Sequence, residues 1–296
     1  MLFYALYLAG YRLCTFLPRR LCHAVACRAA DLYSLFSAQD RRLVRGNLAA
    51  VTGVPEKDVP PAMVREVFRN FAMYLVDFFR FSRLKAGELS GVVRAEGLEW
   101  MRQALSAGKG AVGVTAHLGN YELGGAALAL AGLPVSAVVL THQNRRVDAF
   151  FERQRARVGV QGIPIQRMQG RDFLEACLAA LRGGRILGLV ADRDYFSHGI
   201  EMSLFGHAVR VPTGPASFSL RTGAPIVPVF VVRERDGRYR FVIEPPIRAP
   251  EGVGREEAVR RMSQQCLDAM AKYIRQYPTQ WYMFQEFWRS GPAFIR

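Results

Sequence analysis

The chain has 296 residues and a formal net charge of +15 at pH 7, with 40 lysines and arginines against 25 acidic residues. Half of the residues are hydrophobic, which excludes a disordered chain and supplies the core of one large domain or two small ones. The basic excess indicates an anionic partner: nucleic acid, a membrane surface, an acidic carrier protein or a phosphorylated substrate.

The cysteines argue against a disulfide framework and against a zinc site. Their number is odd, and no two of them form a Cys-x-x-Cys pair. A reducing compartment fits this usage, and no other stretch of the sequence has the spacing of metal ligands. The five are Cys14, Cys22, Cys27, Cys177 and Cys266.

The first 84 residues are predicted to be helical throughout. Apolar residues recur at helical spacing from Pro61 to Leu84, and prolines at positions 55, 60 and 61 mark the loop before that helix. No stretch reaches the roughly 18–20 apolar residues that a membrane-spanning helix needs. No basic region precedes the first apolar residues, as it would in a signal peptide.

The extreme N-terminus mixes apolar and basic side chains. This pattern fits a helix lying in a membrane interface, and it fits an ordinary helix packed on the domain equally well, because both need one apolar face. Our prediction for residues 1–84 is a helical region that associates with a membrane. The residues concerned are Leu2, Phe3, Leu6, Tyr7, Leu13 and Phe16, with Arg12, Arg19 and Arg20.

A different pattern begins near Val92, where short apolar runs alternate with helical stretches. This alternation predicts an α/β fold with a central mixed, largely parallel sheet flanked by helices. Residues 85–296 are expected to form it as one continuous domain. The predicted strands are Ala111–Ala116, Val135–Leu140, Gly162–Ile165, Ile186–Ala191, Ile226–Val232 and Tyr239–Ile243.

Helices are predicted to connect these strands. They are expected after His117, Arg145, Gly170 and Thr213, and a late amphipathic helix is predicted over residues 256–277. We find no internal repeat and no low-complexity segment.

The most informative motif runs from Thr115 to Glu122. A run of small and β-branched residues precedes it and a helical stretch follows, so His117 is expected at the end of a buried strand and Glu122 in the first turn of the next helix. A histidine held there by a carboxylate accepts a proton from an alcohol. The spacing alone also fits a helix-capping histidine beside a solvated glutamate.

A second charged group, Asp192-Arg193-Asp194, follows the apolar run of residues 186–190 and is expected at another strand end. Two acids beside an arginine either position a phosphate or a sugar or form a structural ion network. Residues 221–228 are typical of a helix end, a glycine turn and a strand. The aromatic residues within 277–282 either pack on the core or line a lipid-binding slot.

Together these blocks resemble the lysophospholipid acyltransferase superfamily, and within it the bacterial lipid A biosynthesis lauroyl/myristoyl acyltransferases. The order of the blocks carries the resemblance, which spans about residues 10–288. The matching blocks are His117–Glu122 (His-x4-Asp/Glu), Asp192–Asp194, Phe205–Gly206, Pro212–Gly214, Thr222–Pro225 and Pro278–Trp281, together with Asn47-Leu48 near the N-terminus.

The resemblance implies transfer of a fatty acyl group from a thioester of acyl carrier protein or coenzyme A to a hydroxyl of a lipid acceptor, a lipid A precursor or a similar phosphorylated glycolipid. It implies a peripheral or monotopic enzyme on the cytoplasmic face of the bacterial inner membrane. His117 is the expected general base and Glu122 its partner. Apart from the thioester co-substrate, this chemistry involves no cofactor, no metal and no nucleic acid.

The phosphates of such an acceptor make neighbouring arginines candidates for binding it, because a guanidinium forms paired hydrogen bonds with phosphate. The alternative for each of them is a solvated surface charge. Arg193, Arg146 or the backbone N–H groups after His117 are candidates to stabilise an oxyanion. The substrate-binding candidates are Asn120, Arg145, Arg146, Asp192, Arg193, Asp194 and Arg210.

The chain departs from the family pattern in two places. Lipid A members often carry an arginine directly after the strand that follows the histidine block, whereas here the arginines come later, at positions 145 and 146. Many members also have an N-terminal spanning helix, which this sequence does not predict. The alternatives are an acceptor that is a glycerophospholipid or a phosphatidylinositol mannoside, hydrolysis of the thioester, and a non-catalytic basic protein that binds membranes or nucleic acid.

Overall fold

The computed structural model describes residues 2–142, 144–168, 170–195 and 198–288. For residues 2–6 it describes the backbone alone, so the predicted apolar side chains of Leu2, Phe3 and Leu6 lie outside the described part.

Four helices form the N-terminal region, which confirms its predicted helical character. Pro18 separates the first two helices, Gly53 ends the third with a left-handed φ of 71°, and Pro61 begins the fourth at a position where its missing N–H costs nothing. The helices are α1 (Leu2–Phe16), α2 (Arg19–Phe36), α3 (Ala38–Thr52) and α4 (Pro61–Phe81).

A seven-stranded sheet forms the centre of the molecule, with the strand order β1-β9-β8-β2-β5-β3-β4. All neighbouring strands are parallel except β8 and β9. The mixed, largely parallel sheet is therefore confirmed. Its strands are β1 (Val93–Glu96), β2 (Ala111–Thr115), β3 (Val135–Val139), β4 (Val160–Pro164), β5 (Ile186–Val190), β8 (Ile226–Arg233) and β9 (Tyr239–Ile243), and a separate antiparallel hairpin consists of β6 (Ile200–Leu204) and β7 (His207–Val211).

Helices connect the strands at the predicted places. The sequence did not indicate β1 or the β6–β7 hairpin, because these strands carry exposed and charged residues and lack a continuous apolar run. The helices are α5 (Leu89–Val92), α6 (Leu98–Ser106), α7 (Tyr121–Leu130), α8 (Arg145–Arg157), α9 (Arg171–Arg182), α10 (Gly214–Thr222) and α11 (Arg255–Gln276).

The two faces of the sheet pack against different helices. Side chains alternate between the faces along each strand, so Val112 and Val114 belong to one apolar cluster and Ala111 to the other. The first cluster includes residues of α9, α10 and α11, and the second includes residues of α4, α6, α7 and α8. Helices therefore flank the sheet on both sides, as predicted.

A buried carboxylate, Asp77 on α4, ties the N-terminal helices to the sheet. It accepts two hydrogen bonds of 2.7 Å from Arg19, one of 2.9 Å from His23 and one of 2.6 Å from the Tyr239 hydroxyl on β9. Burial opposes ionisation, but the hydrogen bonds and charges of Arg19 and His23 outweigh it and hold the pKa of Asp77 well below its usual value.

We expect Asp77→Ala to destabilise the fold by roughly 3 kcal/mol, because it leaves a half-buried guanidinium without its anion. Since the pKa of Asp77 is lower in the folded state, its contribution is present above about pH 4 and decreases as the pH falls further. Urea unfolding at pH 7 and at low pH measures both effects, with the exposed Asp58→Ala as the control. Equal stability of the two variants at pH 7 would contradict this role.

The outer surface of α1 and α2 is unusually apolar. No helix in the described ranges combines the length and the apolar character needed to cross a membrane. Exposed apolar residues are nevertheless concentrated here: Leu13, Phe16, Leu21, Val25, Leu32, Tyr33, Leu35 and Phe36, with Phe16 and Phe36 about four-fifths exposed at 78% and 82%.

Candidate active site

The loop that follows β2 holds His117 at the end of the sheet. Tyr282 donates its backbone N–H to the His117 carbonyl at 2.8 Å, which fixes the backbone at this point. Gly119 has a φ of 60°, and any side chain there would collide with the Val231 carbonyl of β8. Glycine is therefore required for the loop to pass this close to the neighbouring strand.

The carboxylate that holds the His117 ring belongs to Asp192. His117 Nδ1 lies 2.7 Å from Asp192 Oδ1, and the second oxygen accepts hydrogen bonds of 3.0 Å from the His117 backbone N–H and from the Trp281 indole. Asp192 follows β5, which pairs with β2 along its whole length. Two adjacent parallel strands thus bring the base and the acid together at one edge of the sheet.

The expected pairing of His117 with Glu122 is corrected by this geometry. Glu122 lies in the first turn of α7, and its carboxylate accepts three hydrogen bonds, of 2.5 to 3.2 Å, from Arg155 of α8. Both side chains of this ion pair are largely buried, so an unpaired Arg155 guanidinium would be costly. The pairing with Arg155 therefore keeps the Glu122 carboxylate from binding His117. Glu122 therefore anchors α7 to α8 beside the site and does not bind the ring.

Asn120 also takes a different position from the one expected of a substrate-binding residue. It is fully buried, and its side-chain oxygen accepts a hydrogen bond of 3.0 Å from the backbone N–H of Leu123. This contact caps the N-terminus of α7. Asn120 therefore positions the helix that follows His117 and presents no group to a ligand.

Burial lowers the pKa of His117, and the charge of Arg193 lowers it further, although Asp192 acts in the opposite direction. The ring is consequently neutral at pH 7. Burial would raise the pKa of Asp192, but His117, Arg193 and the Trp281 indole outweigh burial and hold this pKa well below its usual value. An ionised Asp192 can only accept, so Nδ1 of His117 carries the proton and Nε2 keeps a free lone pair.

A cavity of about 530 Å³ opens beside His117, and its lining is mainly apolar. It extends from the ends of β2 and β5 between the sheet and the helices α4, α7 and α8. A volume of this size is typical of sites that hold a small molecule or a chain of a lipid. The histidine is placed where a ligand in the cavity meets it.

Arg193, Asp194 and Tyr195 are among the polar residues that line this cavity. The Tyr195 hydroxyl lies 3.5 Å from His117 Nε2, on the side where a substrate hydroxyl has to approach. Arg193 donates to the Tyr282 carbonyl at 2.7 Å, while its buried Nε has no partner among the described residues. Asp194 accepts a hydrogen bond of 2.7 Å from the Gly199 N–H.

The remaining arginines of the sequence prediction lie elsewhere. Arg145 and Arg146 occupy exposed positions in the first turn of α8, and Arg210 is exposed on β7. None of the three is among the residues that line the cavity. Their candidacy as phosphate-binding groups stays a prediction about the surface around the site.

The sequence interpretation did not identify Tyr195, Trp281 or the acid that orients His117. The sequence predicts Asp192 as a substrate-binding residue, but its buried carboxylate instead holds the His117 ring, a role that only the adjacency of β2 and β5 assigns to it. Trp281 was noted as an aromatic residue whose role was undecided, and the structure gives it a hydrogen bond to that acid. Within the described part of the chain, no group of three or more acidic, histidine or cysteine side chains could hold a metal ion.

The amino-acid sequence is similar to a family of known proteins over almost its whole length. Over residues 1–290 the sequence matches the model of the family described as bacterial lipid A biosynthesis acyltransferase. It is 29% identical over 282 residues to the phosphatidylinositol mannoside acyltransferase of Mycolicibacterium smegmatis, covering 95% of this chain and 90% of that protein. The protein of the same name from Mycobacterium tuberculosis is 29% identical over 249 residues, covering 83% of this chain and 76% of that protein. The lipid A biosynthesis palmitoleoyltransferase of Escherichia coli is 28% identical over 191 residues, covering 62% of this chain and 58% of that protein.

Proposed function

Because this chain belongs to the bacterial lipid A biosynthesis acyltransferase family and is an acyltransferase, we propose that it moves a fatty acyl chain from a thioester to a hydroxyl of a phosphorylated glycolipid. The donor is the acyl thioester of acyl carrier protein or of coenzyme A, and the general base is His117. The observation that carries the proposal is the His117 ring, which lies 2.7 Å from Asp192 and lines an apolar cavity.

The chemistry follows from the free Nε2 of the ring. It removes the proton of the acceptor hydroxyl while the oxygen attacks the thioester carbonyl, which forms a tetrahedral intermediate. Collapse of the intermediate breaks the C–S bond, and the departing sulfur takes the proton back from the imidazolium. The products are an ester and a thiol, and neither a metal nor a further cofactor enters these steps. Asp192 stabilises the imidazolium that exists between the two proton transfers.

The tetrahedral intermediate carries an oxyanion that needs hydrogen-bond donors. Arg193 is well placed to provide one, because it is next to Asp192, lines the cavity and keeps its buried Nε without a partner in the described residues. The same positive charge lowers the pKa of His117. Arg193 is thus assigned two effects, on the rate and on its pH dependence.

We expect Arg193→Gln to lower kcat about 10²-fold through loss of the oxyanion donor. It should also shift the acidic limb of the pH–rate profile to higher pH, since removing the positive charge raises the pKa of His117 and protonates the base at a higher pH. Steady-state rates from pH 5 to 8 test both expectations, with Arg94→Gln as an exposed control. An unshifted acidic limb would exclude the electrostatic part of this role.

A phosphatidylinositol mannoside is the second candidate acceptor. It is favoured by the relatives from Mycolicibacterium and Mycobacterium, which align with most of this chain, whereas the Escherichia coli palmitoleoyltransferase aligns with 62% of it. Both candidates combine sugars, phosphate and fatty acyl chains, so the same apolar cavity and basic surface suit either. A glycerophospholipid shares the phosphate and the chains but lacks the sugar.

We further propose that residues 1–84 associate with the cytoplasmic face of the bacterial inner membrane without spanning it. The exposed apolar side chains of α1 and α2 support this, because they lie next to exposed arginines that attract anionic lipid headgroups. The active-site cavity is in contact with the same region through α4, which contributes to its lining.

The decisive experiment incubates the purified enzyme with palmitoyl-coenzyme A or palmitoyl-acyl carrier protein. Parallel reactions contain a tetraacylated lipid A precursor, a phosphatidylinositol mannoside, a lysophospholipid or no acceptor, and mass spectrometry detects the acylated product. Transfer to a glycolipid supports the proposal. Release of free fatty acid at the same rate with and without acceptor would instead identify a thioesterase, and no turnover of either donor would exclude the proposed chemistry.

A further inference from the structure

A second apolar cavity lies between α1, α2 and α4, away from His117 and Asp192. Its volume is about 660 Å³, within the range of roughly 300–1,000 Å³ that is common for ligand pockets. The two lining residues with a hydroxyl or a charge, Tyr33 and Asp40, are hydrogen-bonded to each other at 2.7 Å. The lining therefore offers little to water or to a polar ligand and suits a hydrocarbon.

The mouth of this cavity opens on the exposed apolar surface of the N-terminal helices. Leu13, Val25 and Tyr33 line the cavity and are still 54%, 56% and 58% exposed. Apolar residues that are this accessible mark a surface for lipid or protein contact. A hydrocarbon chain that enters here from a membrane passes along apolar side chains and does not cross water.

The second cavity is adjacent to the first. Phe71 and Leu75 of α4 line both of them, so a layer of α4 side chains separates a ligand in one cavity from a ligand in the other. Two hydrocarbon chains can thus lie side by side in one complex. The thioester donor brings a single chain, and the reaction requires that chain to lie at His117. The acceptor is the other lipid that the reaction brings into the complex, so it is the candidate to supply a second chain.

Charges on the same helices fit an anionic lipid. Arg12, Arg20 and Arg28 are exposed on α1 and α2, and the Arg28 side chain is 84% accessible. Guanidinium groups at the edge of an apolar mouth bind phosphate while the chain of the same lipid enters the cavity. A protein partner that inserts an apolar side chain would not need these exposed arginines.

We propose that the cavity between α1, α2 and α4 binds a resident hydrocarbon chain of the acceptor lipid while the cavity at His117 holds the chain being transferred. This inference rests on the proposed function in one respect, that the acceptor is a lipid. The α1–α2–α4 cavity then acts as a second contact, which recognises the acceptor by its tails and complements recognition of its sugar and phosphate.

The test fills the cavity from Ala29, an exposed lining residue of α2. Ala29→Phe should raise the KM for an acyl-bearing lipid A precursor or phosphatidylinositol mannoside tenfold or more, because each methylene kept out of the cavity costs about fourfold in binding. The KM for the donor and the rate with the deacylated headgroup as acceptor should not change. Ala24→Phe is the matched control, since Ala24 is exposed on the same helix but does not line the cavity.

A binding measurement separates this inference from the proposed activity. Wild-type protein is mixed with phosphatidylglycerol vesicles that contain a phosphatidylglycerol with a diazirine in its acyl chain, and photolabelled peptides are mapped. We expect labels on the cavity-lining residues of α2 and α4, reduced at least fivefold in Ala29→Phe and unchanged in Ala24→Phe. If no acceptor is acylated at all, this labelling still decides whether the cavity takes up a hydrocarbon chain of a lipid, which the inference requires. Absence of label from those residues, or equal labelling and equal KM in both variants, would overturn it.

Discussion

Replacement of His117 by alanine is expected to lower acyl transfer by about 10³-fold, within the roughly 10²–10⁴-fold that a positioned general base contributes. The lone pair on Nε2 is the group assigned to remove the proton from the acceptor hydroxyl. Asp192 cannot replace it, because this carboxylate contacts the other ring nitrogen, Nδ1. The loss should appear in kcat, with little change in the KM of the thioester. Initial rates of thiol release in the presence of the acceptor measure both constants.

His117→Ala should still fold, with reduced stability, because buried Asp192 loses the ring but keeps the hydrogen bonds from the residue-117 backbone N–H and the Trp281 indole. Circular dichroism and thermal unfolding check this. His207→Ala is the matched control, since His207 is exposed on β7 and is not among the residues that line the cavity. Turnover of His117→Ala within threefold of the wild type would show that another group performs the proton transfer.

Asp192→Asn is expected to reduce kcat by 10²-fold to 10⁴-fold with the fold intact. The amide keeps the shape of the carboxylate, but it no longer stabilises an imidazolium and can favour the wrong ring tautomer. Removing the negative charge also lowers the pKa of His117, because Asp192 raises it. The acidic limb of the pH–rate profile should therefore move to lower pH, opposite to the shift expected for Arg193→Gln, and rates between pH 4.5 and 8 compare the two.

Two variants identify the cause of that loss. Asp236→Asn changes an exposed acid that pairs with Arg238 in a turn and should leave kcat unchanged. Glu122→Gln removes half of the ion pair with buried Arg155, so it should chiefly destabilise the protein, by about 3–5 kcal/mol, and shift the acidic limb only slightly. A larger catalytic defect in folded Glu122→Gln than in Asp192→Asn would restore Glu122 as the direct partner of the histidine.

Local patterns in the sequence were sufficient to predict most of the fold. Buried strands such as Ala111–Thr115 and Ile186–Val190 carry continuous apolar runs, so each of these strands is recognisable alone. The edge strand Val93–Glu96 and the hairpin that begins at Ile200 have no such run. Their formation depends on the neighbours with which they pair, and this information is not local.

The active site was predictable only in part. The position of His117 at a strand end followed from the apolar run before it, and the structure confirms that position. The choice of acid did not follow, because Glu122 is close in sequence whereas Asp192 lies 75 residues away. Two facts decide between them: β5 is next to β2 in the sheet, and Arg155 reaches Glu122. Both require the three-dimensional arrangement of strands and helices.

The pairing of β2 with β5 lets the catalytic geometry survive insertions and deletions in the segment between these two strands. Five consecutive residue pairs, from Ala111 with Ile186 to Thr115 with Val190, set the separation of the two strand ends that carry the base and the acid. The intervening segment, which contains β3, β4 and three helices, does not set this separation by its length. Insertions or deletions in its surface loops can therefore accumulate over evolution, altering the ligand that is accepted, while proton transfer keeps its geometry.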